Sequence, residues 1–486
     1  MATKSQAANK SLTKNAVINV IYKILDVIFP LISASYISRV LAPEGVGKVA
    51  YVQNIVSYFV MFAALGIPGY GTREIAQNRD DPDAVNKLFS ELFVINALST
   101  AVCAAGYYAV IFCGASRDPI IYMVCGTEIL FNFMNIDWLY QGEEKYAYIT
   151  LRSIAVKLLS VLSLFIFVKD RQDYVVYALI ICLGIGCNNV INIFYARNKV
   201  RPVFRNLELK RHLGPIFTLM LSAVTASLYS KVDITMLGWL HSDEIVGYYT
   251  NAHKVVNVGL TVVTAMSAVF MPRLSYIYKH EKQRFQQLIT AGVQVVLLLA
   301  IPCCIGMILV ADDLILAVFG PLFAPAVLPT QIMAILIVVI GAGDLLCYQV
   351  VISSGNEKAL IKSRVFASMA NILLNAALIP RFQHTGAAIA SVISELIVNG
   401  ILLKSSLSIV RVKITRQFCG SMFASTAVMS IAVILTQKMI DDMLLSLATS
   451  VSVGAIIYFA AALAMKNETM EYLVSAIKNR KSKQIT

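Results

Sequence analysis

The sequence predicts an all-α, polytopic membrane protein, and three observations carry that expectation. Of its 486 residues, 58% are hydrophobic and only 14% are charged, against about 25% charged in soluble domains. The mean hydropathy is +0.71. Fourteen stretches are apolar over lengths that suit a bilayer, for which about 20 residues suffice. So few charges cannot cover the water-facing surfaces of several soluble domains.

The spans are expected in order as follows. The first, 16–40, comes behind the polar start MATKSQAANKSLTKN. It is too long for a signal-peptide core and no small-x-small cleavage site follows, so it reads as a retained span. The next five are 47–70, 88–113, 119–140, 147–168 and 174–196. After a basic segment, Arg197–Arg211, come 214–240, 247–271, 287–311, 325–352, 360–380 and 385–405. Two more, 417–437 and 445–465, precede a basic tail. The fourth, tenth and twelfth each contain a carboxylate: Glu128, Asp344 and Glu395. Pro30 and Pro302 fall inside the first and ninth spans, where each removes a helix hydrogen bond.

The net charge of +13 sets the orientation. With the N-terminus in the cytoplasm, 29 of the 41 Lys and Arg fall in cytoplasmic segments, seven outside and five within spans. That bias places both termini inside. It also accounts for the basicity without nucleic acid, and the basic segments suit contact with anionic membrane lipid. The outside loops are short. The longest expected one, 312–324, carries Asp312 and Asp313, and no loop reaches the size of a catalytic domain.

An internal repeat divides the chain. Glu44-Gly45-Val46-Gly47 matches Glu244-Ile245-Val246-Gly247 at an offset of 200. Ile67-Pro68 resembles Met271-Pro272, and Gly142-Glu143-Glu144-Lys145 resembles Gly355-Asn356-Glu357-Lys358. Each match maps a span onto the one six later, so the two copies share an orientation. The repeat predicts two parallel six-helix lobes, 1–212 and 213–412, followed by two further helices and a basic tail at 413–486. Such repeats mark transporters, with a substrate site between the halves.

The chemistry-bearing residues point the same way. There is no nucleotide-binding G-x-x-x-x-G-K-[ST] loop and no H-E-x-x-H, so neither an ATPase nor a zinc hydrolase is expected. Asp80-Asp81-Pro82-Asp83 reads as a solvated turn. The nine cysteines show no metal or redox spacing and read as small packing residues. Charges inside spans are costly and usually face a bundle interior or water. Lys23, Lys157, Lys231, Lys254 and Arg152 are therefore the expected cationic substrate contacts. Lys157 lies nearest mid-membrane. Asp26, Glu128, Asp233 and Glu395 are the candidate ion-coupling groups or charge partners. Lys23 and Asp26 also fit a local ion pair, Lys254 and Arg152 fit snorkelling, and Glu128 and Glu395 fit plain charge balance. Spans one, two, seven and eight together carry three lysines and two aspartates, a surplus that suits a phosphate or diphosphate. Gln53, Asn54, Asn251 and Asn257 suit sugar hydroxyls or interhelical hydrogen bonds. Trp138, Trp239, Tyr248 and Tyr249 read as interfacial belt residues.

Five segments resemble bacterial polysaccharide flippases of the Wzx type, within the multidrug/oligosaccharidyl-lipid/polysaccharide exporter superfamily. They are RVLAPEGVGKVAYVQ (39–53), LGIPGYGTREIAQNR (65–79), DWLYQGEEKY (137–146), VDITMLGWLHSDEIVGYYTNAHKV (232–255) and SSGNEKALIKSR (353–364). The resemblance implies a two-lobe, MATE-like fold of about fourteen helices in the bacterial plasma membrane. It implies export of undecaprenyl-diphosphate-linked oligosaccharide units for O-antigen, capsule or exopolysaccharide. It implies no cofactor beyond a coupling ion, H+ or Na+, and as partners a polysaccharide polymerase and a chain-length regulator. Arg73 and Glu74 match a family landmark as gating or structural positions. The alternatives are a cation-coupled multidrug exporter and a lipid II-type flippase on the same fold. A membrane polymerase is disfavoured by the short outside loops.

Overall fold

In the computed structural model, residues 2–115, 118–472 and 475 are described; side chains are described from Phe29, except at Ala115, Glu357 and some positions between 222 and 279. Fifteen α-helices follow one another without a strand among the described residues. By packing the chain forms two compact units, Met1–Gly247 and Tyr248–Thr486.

The first unit opens with α1 (Ala2–Ala64), which is two helices joined at Ala42, where φ is 58° and ψ is 177°. Pro43 follows at once; it lacks an N–H and its fixed φ suits a helix start. Leu65 has φ 51°, and Ile67-Pro68 then starts α2 (Ile67–Asn78). Asp81 caps α3 (Pro82–Val110) by accepting from the N–H groups of Asp83 and Ala84 at 3.1 Å. The acidic run 80–83 is thus a helix start. The fourth expected span is broken. It comprises α4 (Pro119–Phe131), a short 3-10 turn and α5 (Asp137–Gly142). Asn132 at the break is buried, its amide donating to Asn96 Oδ1 and Thr100 Oγ1. Then come α6 (Tyr146–Phe167), α7 (Tyr174–Ala196) and α8 (Lys210–Leu240).

Two cores hold this unit. One joins Val52 and Val56 of α1 to Tyr107 of α3, Ile121 and Ile129 of α4, and Ala178 of α7. The other lies at the opposite helix ends, where Ile75, Leu92, Trp138 and Tyr140 meet. The turns matched by the repeat approach one another closely. A Cβ on Gly47 would lie 1.6 Å from the Asp243 carbonyl oxygen, and one on Gly247 would lie 2.2 Å from that of Pro43. The contact is reciprocal at the offset of 200 that relates the two sequences.

The second unit contains most of α9 (Asp243–His280), then α10 (Lys282–Phe319), α11 (Val327–Gly343), α12 (Val350–Ser353) and α13 (Glu357–Leu407). It ends with α14 (Arg416–Met439) and α15 (Met443–Ala464). Its core sets Leu298 and Val310 against Phe418, Met429 and Tyr458. Helix α13 is again two helices, joined at Gln383. The expected outside loop at 312–324 is largely helix. Asp313 stays on α10 and accepts from Gln437 of α14 and Ser446 of α15 at 3.3 Å.

Nine described helical stretches are long and apolar enough to cross a membrane. Two of them are 50 residues long and contain the breaks at Ala42 and Gln383. Their outer faces expose Leu98, Val102, Leu159, Phe366 and Ile456. Water would not tolerate so continuous an apolar surface; lipid does. The chain is a multi-pass membrane protein.

Three of the four belt expectations need correction. Trp138 is only 2% exposed, whereas Trp239 is 74% exposed. The break before α5 turns residues 137–142 into the core, and Trp138 lies against Gly71, where a Cβ would sit 2.7 Å from its ring. Tyr248 and Tyr249 are also buried. The Tyr248 ring packs on Phe323 and His384, and the Tyr249 hydroxyl is 3.0 Å from Ser391 Oγ.

Candidate functional site in the first unit

Three helices of the first unit bring polar groups together in an otherwise apolar interior. The arm of α1 beyond Ala42 supplies Asn54 and Tyr58, α4 supplies Glu128, and α8 supplies Lys231, Asp233 and Thr235. The Asn54 amide donates to the Lys231 carbonyl oxygen at 3.2 Å and to Thr235 Oγ1 at 2.8 Å. The Tyr58 hydroxyl lies 3.0 Å from Thr235 Oγ1. Helical spacing explains the convergence: Asn54 and Tyr58 are one turn apart, as are Lys231 and Thr235. Glu128 and Lys231 act on each other electrostatically, each being the charged group that the other feels. Asp233 is buried and its charge reaches Tyr58.

The cluster therefore joins Asn54, Glu128, Lys231 and Asp233 from the sequence expectations. It contains two carboxylates and one ammonium; of the five residues behind the expected cationic surplus it includes Lys231 and Asp233. Lys23 and Asp26 lie outside the residues whose side chains are described. Lys254 belongs to the second unit. Lys157 is half-buried midway along α6, and Gln53 is half-buried beside Asn54. Thr235 and Tyr58 were not singled out from the sequence. A one-turn polar spacing on the same two spans was the signal available.

Arg152 is buried and held in place. It donates to Asp137 Oδ1 at 2.9 Å and to Asn188 Oδ1 at 3.0 Å, and its guanidinium lies over the Tyr148 ring. Asn192 donates to the same Asp137 oxygen at 2.7 Å. Asp137 opens the DWLYQG landmark, so that motif anchors the short helix α5 to α6 and α7. Arg73 and Glu74 form an exposed pair on α2, with bonds of 3.0 and 3.3 Å.

A second buried charge network was missed at sequence level. Glu91 on α3 is fully buried. Its carboxylate accepts from Arg211 Nη2 at 2.7 Å and from the Glu208 N–H at 2.8 Å, and lies 2.8 Å from His212 Nε2. The other ring nitrogen of His212 is 2.8 Å from the Tyr70 hydroxyl. The neighbouring side chains Asn86 and Ser90 accept from the N–H groups of Arg201 and Val203. Helix α3 thereby pins the whole segment between α7 and α8. Glu91 interrupts the apolar run LFSELF, which was the available sequence signal.

In the second unit, Lys254 donates to Asn251 Oδ1 at 3.2 Å, and Asn257 lies 3.1 Å from His253. Glu395 is half-buried on α13. Asp344 opens a π-turn, Asp344–Gln349, and accepts from Gln349 Nε2 at 3.1 Å; the same nitrogen donates to the Ser267 carbonyl oxygen. No group of three or more His, Cys, Asp or Glu is arranged for a metal among the described residues.

Residues 12–278 match a family model described as polysaccharide biosynthesis protein. The chain belongs to this family. It is 24% identical over 413 residues to a protein of Escherichia coli K12 provisionally named an O-antigen transporter, covering 81% of this chain and 96% of that one. A provisionally named flippase, AglR of Haloferax volcanii, is 28% identical over 209 residues, or 42% of this chain and 43% of its own. Among solved structures, the lipid II flippase MurJ in an inward closed conformation superposes with TM-score 0.75 at 14% identity, covering 95% of this chain and all of that one. An inward-facing multidrug resistance MATE family transporter superposes with TM-score 0.65 at 11% identity, over 81% and 97%. The fold is thus the MurJ/MATE-like helical fold. The family is one of membrane transporters and flippases, not enzymes.

Proposed function

We propose that the protein exports a polyprenyl-diphosphate-linked oligosaccharide across the bacterial inner membrane for surface polysaccharide assembly, by alternating access coupled to an ion gradient. Both termini then lie in the cytoplasm, fourteen spans form the chain, and the repeat lobes are 1–212 and 213–412. A polymerase and a chain-length regulator receive the product. Family membership supports the substrate class, and the E. coli relative extends it over most of the chain.

The mechanism is carried by the mutual electrostatic influence of Glu128 on α4 and Lys231 on α8, beside the hydrogen bonds that join Asn54, Tyr58 and Thr235. While Glu128 is ionised it offsets the Lys231 charge. A proton on Glu128 removes that offset and leaves the ammonium to attract a diphosphate. Proton occupancy and anion affinity are then linked, and linkage is reciprocal. A ligand that favours neither conformation moves nothing, so the coupling has to enter through such a differential interaction.

The test uses export and binding together. Lys231→Ala, at normal protein level, is expected to abolish export and weaken polyprenyl-diphosphate binding at least 10-fold. Glu128→Gln is expected to keep binding but lose its pH dependence, and to lose gradient-driven export. Full export by both variants overturns the mechanism. A second reading, cation-coupled drug export, draws on one observation: carboxylates outnumber the ammonium in the cluster. Ethidium accumulation in a strain without its own exporters discriminates the two, because only the drug exporter lowers it.

A further inference from the structure

A cavity of about 280 Å³ opens in the first unit beside the close approach of Gly47 and Gly247. It is lined by Tyr51, Tyr122, Trp239, Lys48, Asp118 and Asp243. We propose that this cavity binds a sugar ring of the transported glycolipid. The inference rests on the flippase reading and its orientation, which places the cavity at the outer end of the helices.

The cavity is built on the same three helices as the charge cluster, with Asp243 added from the start of α9. On α8, Gly238 lies seven residues beyond Lys231. On α4, Ile121 lies seven residues before Glu128. On α1, Tyr51 lies seven before Tyr58. At 1.5 Å per residue each step is about 10 Å. The three helices therefore agree on one separation. A diphosphate at the cluster would present the sugar joined to it toward this cavity.

The lining suits a sugar. Rings of Tyr51, Tyr122 and Trp239 offer apolar faces for the C–H surfaces of a sugar. Asp118 and Asp243 are acceptors, and Lys48 is a donor. Sugar hydroxyls both donate and accept, so they match this mixture. An acyl tail would leave three charged groups desolvated, at considerable cost. A phosphate would meet two carboxylates for one ammonium. The volume is just below the range for whole small ligands, as expected for one unit of a longer chain.

The site is also held in shape. Lys48 Nζ lies 3.6 Å from Asp118 Oδ2 and 4.5 Å from the centre of the Tyr174 ring. The Tyr174 hydroxyl donates to the same carboxylate oxygen at 2.7 Å. Gly238 leaves room for the Tyr51 ring, which would lie 2.2 Å from a Cβ there. Trp239 is 74% exposed at the rim.

The experiment reads binding in nanodiscs of the full chain. The probes are bare undecaprenyl diphosphate and undecaprenyl diphosphate carrying single sugars: glucose, galactose, N-acetylglucosamine or rhamnose. Trp138 is buried, so a ligand-dependent emission change lost in Trp239→Phe reports the cavity. At least one sugar-bearing probe is expected to bind 10-fold tighter than the bare lipid and to shift Trp239 emission. Trp239→Ala and Asp118→Asn are expected to erase that preference with bare-lipid affinity unchanged. If the bare lipid binds and no sugar is preferred, or if the preference survives both variants, the sugar subsite is wrong and the flippase reading stands. If neither lipid binds but ethidium quenches Trp239, both readings are wrong.

Discussion

Two carboxylates of the first unit, Glu91 fully buried and Glu128 half-buried, interact with cations, yet their surroundings differ. Glu91 receives two hydrogen bonds, from Arg211 and the Glu208 backbone, and lies beside the His212 ring. Among the described residues Glu128 feels the charge of Lys231, and the hydrogen bonds of the cluster are made by Asn54, Tyr58 and Thr235. A buried charge satisfied from several sides is fixed in place, and its removal leaves several partners stranded. One held by a single opposite charge is free to respond when that charge meets a ligand. The first arrangement builds structure and the second suits transport.

The largest effect should come from breaking the saturated site. Glu91→Ala leaves Arg211, His212 and the Glu208 N–H without their acceptor, and is expected to cost about 3–5 kcal/mol. Thermal unfolding in detergent and the level of protein in membranes measure it. Glu128→Gln should change stability far less while removing gradient-driven export. If Glu128→Gln unfolds the protein and Glu91→Ala does not, the two roles have been assigned backwards.

A smaller effect tests whether the cluster needs the seam beside it. Gly47→Ala would place a methyl 1.6 Å from the Asp243 carbonyl oxygen, so backbone must shift. Overpacking of this kind costs about 1–3 kcal/mol. The shift would displace the arm of α1 that carries Asn54 and Tyr58. Export is expected to fall in the variant even when its protein level is restored by growth at lower temperature. Unchanged export would show that the cluster tolerates movement of α1.

How much of this was legible follows from what each residue depends on. Span positions and the family landmarks rest on composition and local pattern, which the sequence carries openly. Glu128, Lys231 and Asp233 stood out because charge inside a span is costly. Their convergence did not, since it depends on how α1, α4 and α8 pack. Trp138 was misread because the break at Asn132–Ile136 is set by tertiary partners, Asn96 and Thr100, far away in sequence. Arg152 stood out as a charge within a span but its partner did not, for Asp137 is 15 residues earlier on the short separate helix α5 that follows that break. Glu91 lay hidden near the end of a span, where an acidic residue usually meets water.

The least effect is expected where the carboxylate is open to solvent, and it completes the series from saturated to exposed. Glu208 sits in the segment pinned by α3 and is bonded by Lys87 at 2.6 Å, with Arg211 nearby. The Lys87 hydrogen bond and charge, with a further contribution from Arg211, hold its carboxyl below the usual range. A depressed carboxyl contributes stability above its ordinary pKa of about 4.3, and loses that contribution as pH falls through the lowered folded value. Glu208→Gln should therefore be nearly silent in unfolding at low pH, where wild type is already protonated. At neutral pH it should be slightly destabilised, more so at low salt, because an exposed pair is screened by ions. Unfolding midpoints at two pH values and two salt concentrations check the sign. A loss as large as that of Glu91→Ala would mean that the linker is held by its exposed charges rather than by the buried one.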